Sequence, residues 1–340
     1  MGTEPENKPT KSKKKLWLLI PASLVALLLI VAGVFFYQIS VPKSKSDKQV
    51  IYEVKKGQSI HQVASELAKA GTITSAAAFE VYVKLGPARG KLIPGPYAVR
   101  SSMNIREISR LMATGQIAIV KFTIPEGYTV NKIAKLWEAN DMGSAEDFVA
   151  TTKEAYQYPF LAENNAKGNL EGYLFPATYE VKFNGSPRDL ITMMLDAFAK
   201  QAQPVIAGQN TTSLTPSEVV TLASIVEYEG KTEEDRKLIA GVFLNRLARG
   251  MKLQSDVTVN YATGKSLTSA ADIKTDSSYN TYIVKGLPPA PIGSPGIESI
   301  KAVLAPTKND YLFFLAGNDG KVYYAKTLSD HEQNIKSYLK

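Results

Sequence analysis

The segment LTPSEVVTLASIVEYEG (residues 214–230) carries the local signals of one complete helix. Thr215 is a typical N-cap residue, Pro216 suits the first helical position, and Glu218 stands where a capping box needs its acidic residue. Gly230 is a typical helix stop. The sequence therefore predicts a helix that begins after Thr215 and ends just before Gly230, with an apolar stripe along one face.

Two carboxylates, Glu227 and Glu229, fall in the last turn of this predicted helix. The C-terminal end of a helix carries partial negative charge, which disfavours a carboxylate and raises its pKa as a general acid requires. On a helical wheel both glutamates flank the apolar stripe, and the geometry favours Glu229 only slightly. Two solvated glutamates that pair with Lys231 or Arg236 are the alternative, and this helix alone does not decide between the two.

Segments rich in amides, hydroxyls and tyrosines follow a second predicted helix, which begins after Thr232 and ends before Gly250. We expect an extended stretch over residues 254–261. Such side chains offer the neutral hydrogen bonds and stacking surfaces that a sugar polymer needs, although inert loops have them too. With Glu227 beside them, the candidates for substrate contact are Asn245, Gln254, Asp256, Tyr279, Asn280 and Tyr282.

An uncharged apolar segment, Leu16–Tyr37, lies near the N-terminus. As a helix, its 22 residues would span about 33 Å, enough for a bilayer core of about 30 Å. Lys13–Lys15 precede it, which favours a cytoplasmic tail over residues 1–15. A cleaved signal peptide is the alternative, but its apolar region is shorter. We expect a single-pass anchor in the cytoplasmic (inner) membrane, with the large domain extracytoplasmic.

A strand–turn–helix pattern occurs three times after a polar linker at residues 38–50, with strands that begin near Tyr52, Tyr97 and Ile124. The first copy resembles the LysM module, a small β-α fold that binds N-acetylhexosamine chains. A generic β-α spacer fits equally well. We expect an α+β protein with a small LysM-like subdomain over residues 51–120 and a larger catalytic lobe over residues 121–340.

Composition excludes several classes of site. The chain of 340 residues has no cysteine and only two histidines, His61 and His331. Disulfides cannot form, a zinc site lacks ligands, and a cysteine-histidine or serine-histidine enzyme is disfavoured. We expect no metal or organic cofactor. The net charge is +8, which suits anionic lipid or wall polymers or simply a soluble surface, and an extracytoplasmic domain makes nucleic acid an improbable partner.

Ordered motifs between Glu171 and His331 resemble the MltG-type endolytic murein transglycosylases, the YceG-like family. The motifs are EGYLFPATY, ASIVEYEG, VFLNRL, MKLQSDVTV, YNTYIVKGLPP, IGSPG and YYAKTLSDH. The resemblance implies an inner-membrane enzyme that cuts nascent peptidoglycan strands internally, alongside cell-wall synthases. The catalytic member of the family's paired glutamates corresponds to Glu229. The family usually has lysine between the pair and often threonine after it, where this chain has Tyr228 and Gly230.

The resemblance also implies a mechanism with a single carboxylate. Glu229 would protonate the glycosidic oxygen between MurNAc and GlcNAc and then deprotonate the C6 hydroxyl of MurNAc, which leaves a 1,6-anhydro end. A noncatalytic peptidoglycan-binding scaffold of the synthesis machinery is one alternative. A hydrolase with two carboxylates, which would leave reducing ends, is another.

Overall fold

The computed structural model describes residues 14–162, 169–208 and 210–339, and for residues 14–20 it describes the backbone alone. Most of the predicted cytoplasmic tail therefore lies outside the described residues. The chain divides after Ile119 into two compact units. Helices and strands occur in both, which confirms the predicted α+β class.

The first unit combines one long helix with a small helical and stranded core. Its elements are α1 (Lys14–Ser40), β1 (Gln49–Val54), α2 (Ile60–Lys69), α3 (Ala76–Leu85), β2 (Gly95–Arg100) and α4 (Ile105–Thr114). Strands β1 and β2 pair antiparallel, with Tyr52 opposite Tyr97. Tyr97 is buried with Leu67, Phe79 and Ile108 in the core of this unit.

Helix α1 contains the predicted membrane segment and extends past it. Residues Pro21–Ser40 are long and apolar enough to cross a membrane. Most of their side chains are exposed, as an apolar face that needs a lipid environment would be. The end of the helix differs, because Ile39 is buried against the core of the first unit and α1 contacts α3 and α4.

The second unit begins at β3 and is mainly helical. Its elements are β3 (Ile119–Thr123), α5 (Val130–Ala139), α6 (Ala145–Thr151), α7 (Pro159–Ala162), β4 (Thr178–Lys182), α8 (Pro187–Gln201), α9 (Gln203–Gly208), α10 (Pro216–Glu229), α11 (Glu233–Ala248), α12 (Asp256–Thr263), a 3₁₀ turn (Asp272–Lys274), α13 (Ile297–Leu304), β5 (Phe313–Ala316), β6 (Val322–Ala325) and α14 (Leu328–Tyr338). Strand β3 pairs with β4, and β5 pairs antiparallel with β6.

The three strand–turn–helix copies predicted from the sequence are present, but in the third the strand ends at Thr123, just before its predicted start at Ile124. They are β1 with α2, β2 with α4, and β3 with α5. Ser59, Asn104 and Thr129 cap the three helices, each accepting a hydrogen bond from the backbone three residues on. This local agreement does not test the likeness of the first copy to LysM, which stays a prediction.

Helix α10 is the central helix of the second unit. Thr215 and Glu218 form the predicted capping box, and Pro216 is the first helical residue. The prediction of a single apolar face is wrong, because every residue from Val219 to Val226 is buried and these residues cover all sides of the helix. Helices α11 and α13 both pack on α10 and on each other, so the helix has neighbours on several sides. The last turn of α10, which is partly exposed, is therefore positioned by the packing of the rest of the helix.

Candidate active site

Glu229 ends α10 beside the first residue of another helix. The Ser255 hydroxyl donates a hydrogen bond of 2.7 Å to Glu229 Oε1. The pKa of Glu229 is raised to about 7, mainly because the carboxyl group is buried; the Ser255 hydrogen bond lowers it in part, and the nearby Asp256 carboxylate raises it. A carboxyl group with this pKa can donate a proton and accept one near neutral pH.

Glu229 lies in a groove of the second unit with a volume of about 1350 Å³, its open mouth included. Gln254, Asp256 and Tyr282 line the same groove. The structure thus brings together four of the eight site residues predicted from the sequence. The opposite wall comes from β5, β6 and α14 and is largely apolar.

The polar side of the groove is held by hydrogen bonds within the chain. The Tyr282 hydroxyl donates to Asp256 Oδ1 at 2.7 Å. Gln254 adopts a left-handed backbone conformation, with φ at +50°, and its N–H donates to the Thr281 carbonyl. An Arg246 N–H donates to Gln254 Oε1 at 3.2 Å. Substrate would meet groups whose orientation is already set.

Glu227 does not line this groove. Two residues apart on a helix, Glu227 and Glu229 point in very different directions. Glu227 Oε1 accepts a hydrogen bond of 3.2 Å from the Arg236 guanidinium, and its Oε2 accepts one of 2.8 Å from the Gly296 N–H. Both carboxylate oxygens are therefore used to join α10, α11 and the start of α13.

Three further predicted contact residues also lie away from the groove lining. The Asn245 amide donates to the carbonyls of Asn309 and Tyr311, each at 3.0 Å. The Asn280 side chain is fully buried and donates to the carbonyls of Ile273 and Thr275. Tyr279 packs on Tyr261, with ring centroids 4.9 Å apart. In this structure these side chains hold loops together, and their contact with glycan stays a prediction.

The two departures from the usual family pattern have structural explanations. Gly230 has a φ of −96°, which any residue can adopt, so its backbone conformation does not explain why glycine is present. A Cβ there would lie 2.9 Å from Arg236 Cα, too close for a real side chain. Tyr228 donates its hydroxyl to the Gly127 carbonyl, and the Lys132 ammonium lies 5.5 Å from its ring centroid. Neither residue occupies the groove that holds Glu229.

Sequence analysis missed several residues that shape the site. Ser255, which supports Glu229, precedes the predicted Asp256 directly, but nothing local shows where its hydroxyl points. Arg246 is buried, and its N–H groups donate hydrogen bonds to the carbonyls of Leu312, Lys252 and Leu253. The apolar wall includes Leu328 and His331 of the YYAKTLSDH motif, but the motif itself does not indicate that its residues line a groove.

A second buried carboxyl group, Glu171, also escaped the sequence analysis. Its side chain is 4% exposed and lies outside the groove. Glu171 accepts hydrogen bonds from the Val130 N–H at 3.0 Å and from the Tyr261 hydroxyl at 3.2 Å. Burial raises its pKa to about 7. The carboxyl group thereby joins the start of α5 to α12.

The chain is similar to known proteins over most of its length. The family model described as the YceG-like family matches residues 52–337. An endolytic murein transglycosylase of Streptococcus pneumoniae (serotype 2, strain D39) is 35% identical over 93% of this chain, which spans 64% of that relative's length. An endolytic murein transglycosylase of Bacillus subtilis (strain 168) is 33% identical, with 92% of this chain and 91% of the relative covered.

A solved structure of a YceG-like protein is also similar to this chain. The crystal structure of a YceG-like protein from Listeria monocytogenes is 35% identical to this chain, with a TM-score of 0.55. The match covers 85% of this chain and 99% of the Listeria chain. The chain belongs to the YceG-like family.

Proposed function

We propose that this chain is a membrane-anchored lytic transglycosylase that cuts peptidoglycan strands internally, with Glu229 as the general acid and base. The observation that carries the proposal is a carboxyl group with a pKa of about 7 in an open groove, held by Ser255. The names of the relatives from Streptococcus pneumoniae and Bacillus subtilis supply the reaction and the substrate class.

The proposed reaction needs only one carboxyl group. Protonated Glu229 gives its proton to the glycosidic oxygen between MurNAc and GlcNAc, and the bond from MurNAc C1 to that oxygen breaks. The GlcNAc side leaves with a free hydroxyl. The Glu229 carboxylate then takes the proton of the MurNAc C6 hydroxyl, whose oxygen bonds to C1. The product ends in 1,6-anhydro-MurNAc and Glu229 is protonated again, so the cycle closes without water.

Asp256 supports a second candidate function. Its carboxylate lies in the same groove as Glu229 and is close enough to raise the pKa of that residue. A pair of carboxyl groups is what a hydrolase uses, one as the acid and one to activate water or attack the sugar. The hydrogen bond from Tyr282 engages Asp256 and favours a structural role for it.

The proposed placement in the cell rests on α1. We propose that this helix anchors the chain in the cytoplasmic membrane, with the preceding tail inside and the residues that follow Ser40 outside. The segment over residues 51–120 would then hold glycan as a LysM-like module, and cell-wall synthases would be neighbours at the membrane. These proposals are supported by the apolar helix and by the substrate named for the relatives.

Product analysis tests the proposed function. The full chain in detergent is incubated with purified glycan strands, and the fragments are examined by mass spectrometry. We expect internal fragments with 1,6-anhydro-MurNAc ends from wild type and none from Glu229→Gln. Reducing ends would support the hydrolase, and no fragments from wild type would support the noncatalytic scaffold.

A further inference from the structure

Helix α14 forms one wall of the groove without burying any of its own residues. Leu328, His331, Ile335 and Leu339 face the groove. Their spacing puts them on one side of the helix. Leu328 is 57% exposed and Leu339 is 45% exposed, so the side chains lie open to the space that also holds Glu229. This wall has a surface free to meet a ligand.

Two rings lie together in that wall. The His331 ring stacks on Phe313 of β5, with centroids 5.3 Å apart and an angle of 24° between the planes. The Arg246 Cζ atom lies 5.0 Å from the Phe313 centroid, and the Arg246 Nε donates a hydrogen bond of 2.6 Å to the adjoining Leu312 carbonyl. Phe313 is therefore fixed both at its ring and at its backbone.

Arg246 also connects these rings to the polar side of the groove. Its Nη1 donates to the Leu253 carbonyl at 2.8 Å and to Gln254 Oε1 at 3.2 Å. Gln254 lines the groove together with Glu229. The position of the two rings relative to the proposed acid is thus set by one buried side chain.

The two rings present a neutral surface. Burial and the nearby Arg246 guanidinium hold the pKa of His331 below its usual value, so the imidazole is uncharged at pH 7. Its Nδ1 is buried and has no hydrogen-bond partner among the described residues. Aromatic faces pack well against apolar surfaces such as the C–H face of a sugar ring.

We propose that Phe313 and His331 form a stacking subsite for one N-acetylhexosamine residue of the strand that is cut at Glu229. The subsite would hold the sugar in register with the acid, which determines the bond that is cleaved. This inference rests on the proposed function and names the residues that position its substrate.

The first test separates substrate binding from chemistry. We expect His331→Ala to raise KM for glycan strands about tenfold and to change kcat by less than about twofold, because the lost contact binds substrate and transition state alike. Lys336→Ala is the control, since Lys336 is exposed on the same helix and is not part of the groove lining. We expect this control to behave as wild type.

The second test needs no catalysis. Histidine is isotopically labelled in full-length Glu229→Gln purified without a histidine tag, so the two imidazoles give two sets of NMR signals. We expect a soluble N-acetylglucosamine tetramer to shift the His331 signals, which the His61→Ala variant identifies by removing the other set.

The outcomes distinguish the inference from the function on which it rests. Unshifted His331 signals in a chain whose wild type cuts glycan, with an unchanged KM for His331→Ala, would overturn the subsite alone. Shifted His331 signals in a chain whose wild type releases no fragments would overturn the proposed function and keep the sugar-binding site.

Discussion

Glu227 and Glu229 are separated by one residue and have opposite surroundings. Glu227 accepts hydrogen bonds from Arg236 and Gly296. Burial disfavours the ionised form of Glu229, the hydrogen bond from Ser255 opposes this effect in part, and the nearby Asp256 carboxylate adds to it. Both glutamates share the end of the helix, so the distant segments packed around each side chain make the difference.

Replacement of Glu229 by glutamine should remove activity and keep the fold. A general acid contributes about 10²–10⁴-fold, and Glu229→Gln cannot supply the proton. The raised pKa means that wild type loses stability as the pH rises through about 7, while the amide does not ionise. We therefore expect the variant to digest glycan at near background and to melt no lower than wild type at pH 8.

Glu227→Gln is the matched control for that experiment. The substitution weakens a buried contact with Arg236, so we expect a loss of about 1–3 kcal/mol in the free energy of unfolding and a smaller loss of activity. Loss of activity confined to Glu227→Gln would move the proposed acid to the other glutamate.

Helix α12 illustrates what local sequence could and could not predict. The sequence predicted an extended stretch over residues 254–261, but α12 begins at Asp256. Ser255 occupies the N-cap position without capping the helix, because its hydroxyl is hydrogen-bonded to Glu229 instead. In α10, by contrast, Thr215 and Glu218 satisfy each other locally, and that helix was predicted correctly.

The polar residues predicted to contact substrate also could not be placed from local sequence. Their residue types suit contact with a sugar. The amides of Asn245 and Asn280, however, donate hydrogen bonds to backbone carbonyls, whereas Tyr282 lines the groove. Which partner an amide finds depends on tertiary packing, which no short motif records. The apolar wall of β5 and α14 was not predicted for the same reason.

Ser255, which directly precedes α12, should lower the pKa of the proposed acid, Glu229. Ser255→Ala removes the hydrogen bond that lowers the pKa of Glu229, so the pKa rises above about 7. Activity falls with rising pH as Glu229 loses its proton, and we expect this fall to move about one unit higher in the variant. Ser269→Ala removes a similar bond to Asp272 outside the groove and should leave the pH profile unchanged.

No shift in the pH profile of Ser255→Ala would mean that Glu229 does not act as the acid or that Ser255 does not set its pKa. The Glu229→Gln variant separates these two outcomes, because only the first predicts that it stays active.

The link between α11 and the segment before β5 can be tested at Asn245. Its amide donates to two carbonyls there, so Asn245→Ala leaves acceptors unpaired and should lower the free energy of unfolding by about 1–3 kcal/mol. Thermal melting and glycan digestion are measured together. Full stability with a large loss of activity would instead indicate the direct glycan contact predicted from the sequence.

At the scale of the whole molecule, α1 should hold the protein in the membrane. Its apolar length predicts fractionation with membranes and resistance to extraction by salt. Protease added to intact spheroplasts should digest the chain beyond Ser40, because that part is proposed to lie outside. Protection of the second unit until the cells are lysed would contradict the proposed orientation.

Digestion of glycan strands in heavy-oxygen water tests whether Glu229 catalyses cleavage without water. Mass spectrometry of the new ends separates the two chemistries, because intramolecular attack by the C6 hydroxyl takes no oxygen from solvent and hydrolysis takes one. We expect 1,6-anhydro-MurNAc ends without heavy oxygen from wild type and no products from Glu229→Gln. Reducing ends that carry heavy oxygen would show that water attacks the sugar and would overturn the proposed mechanism.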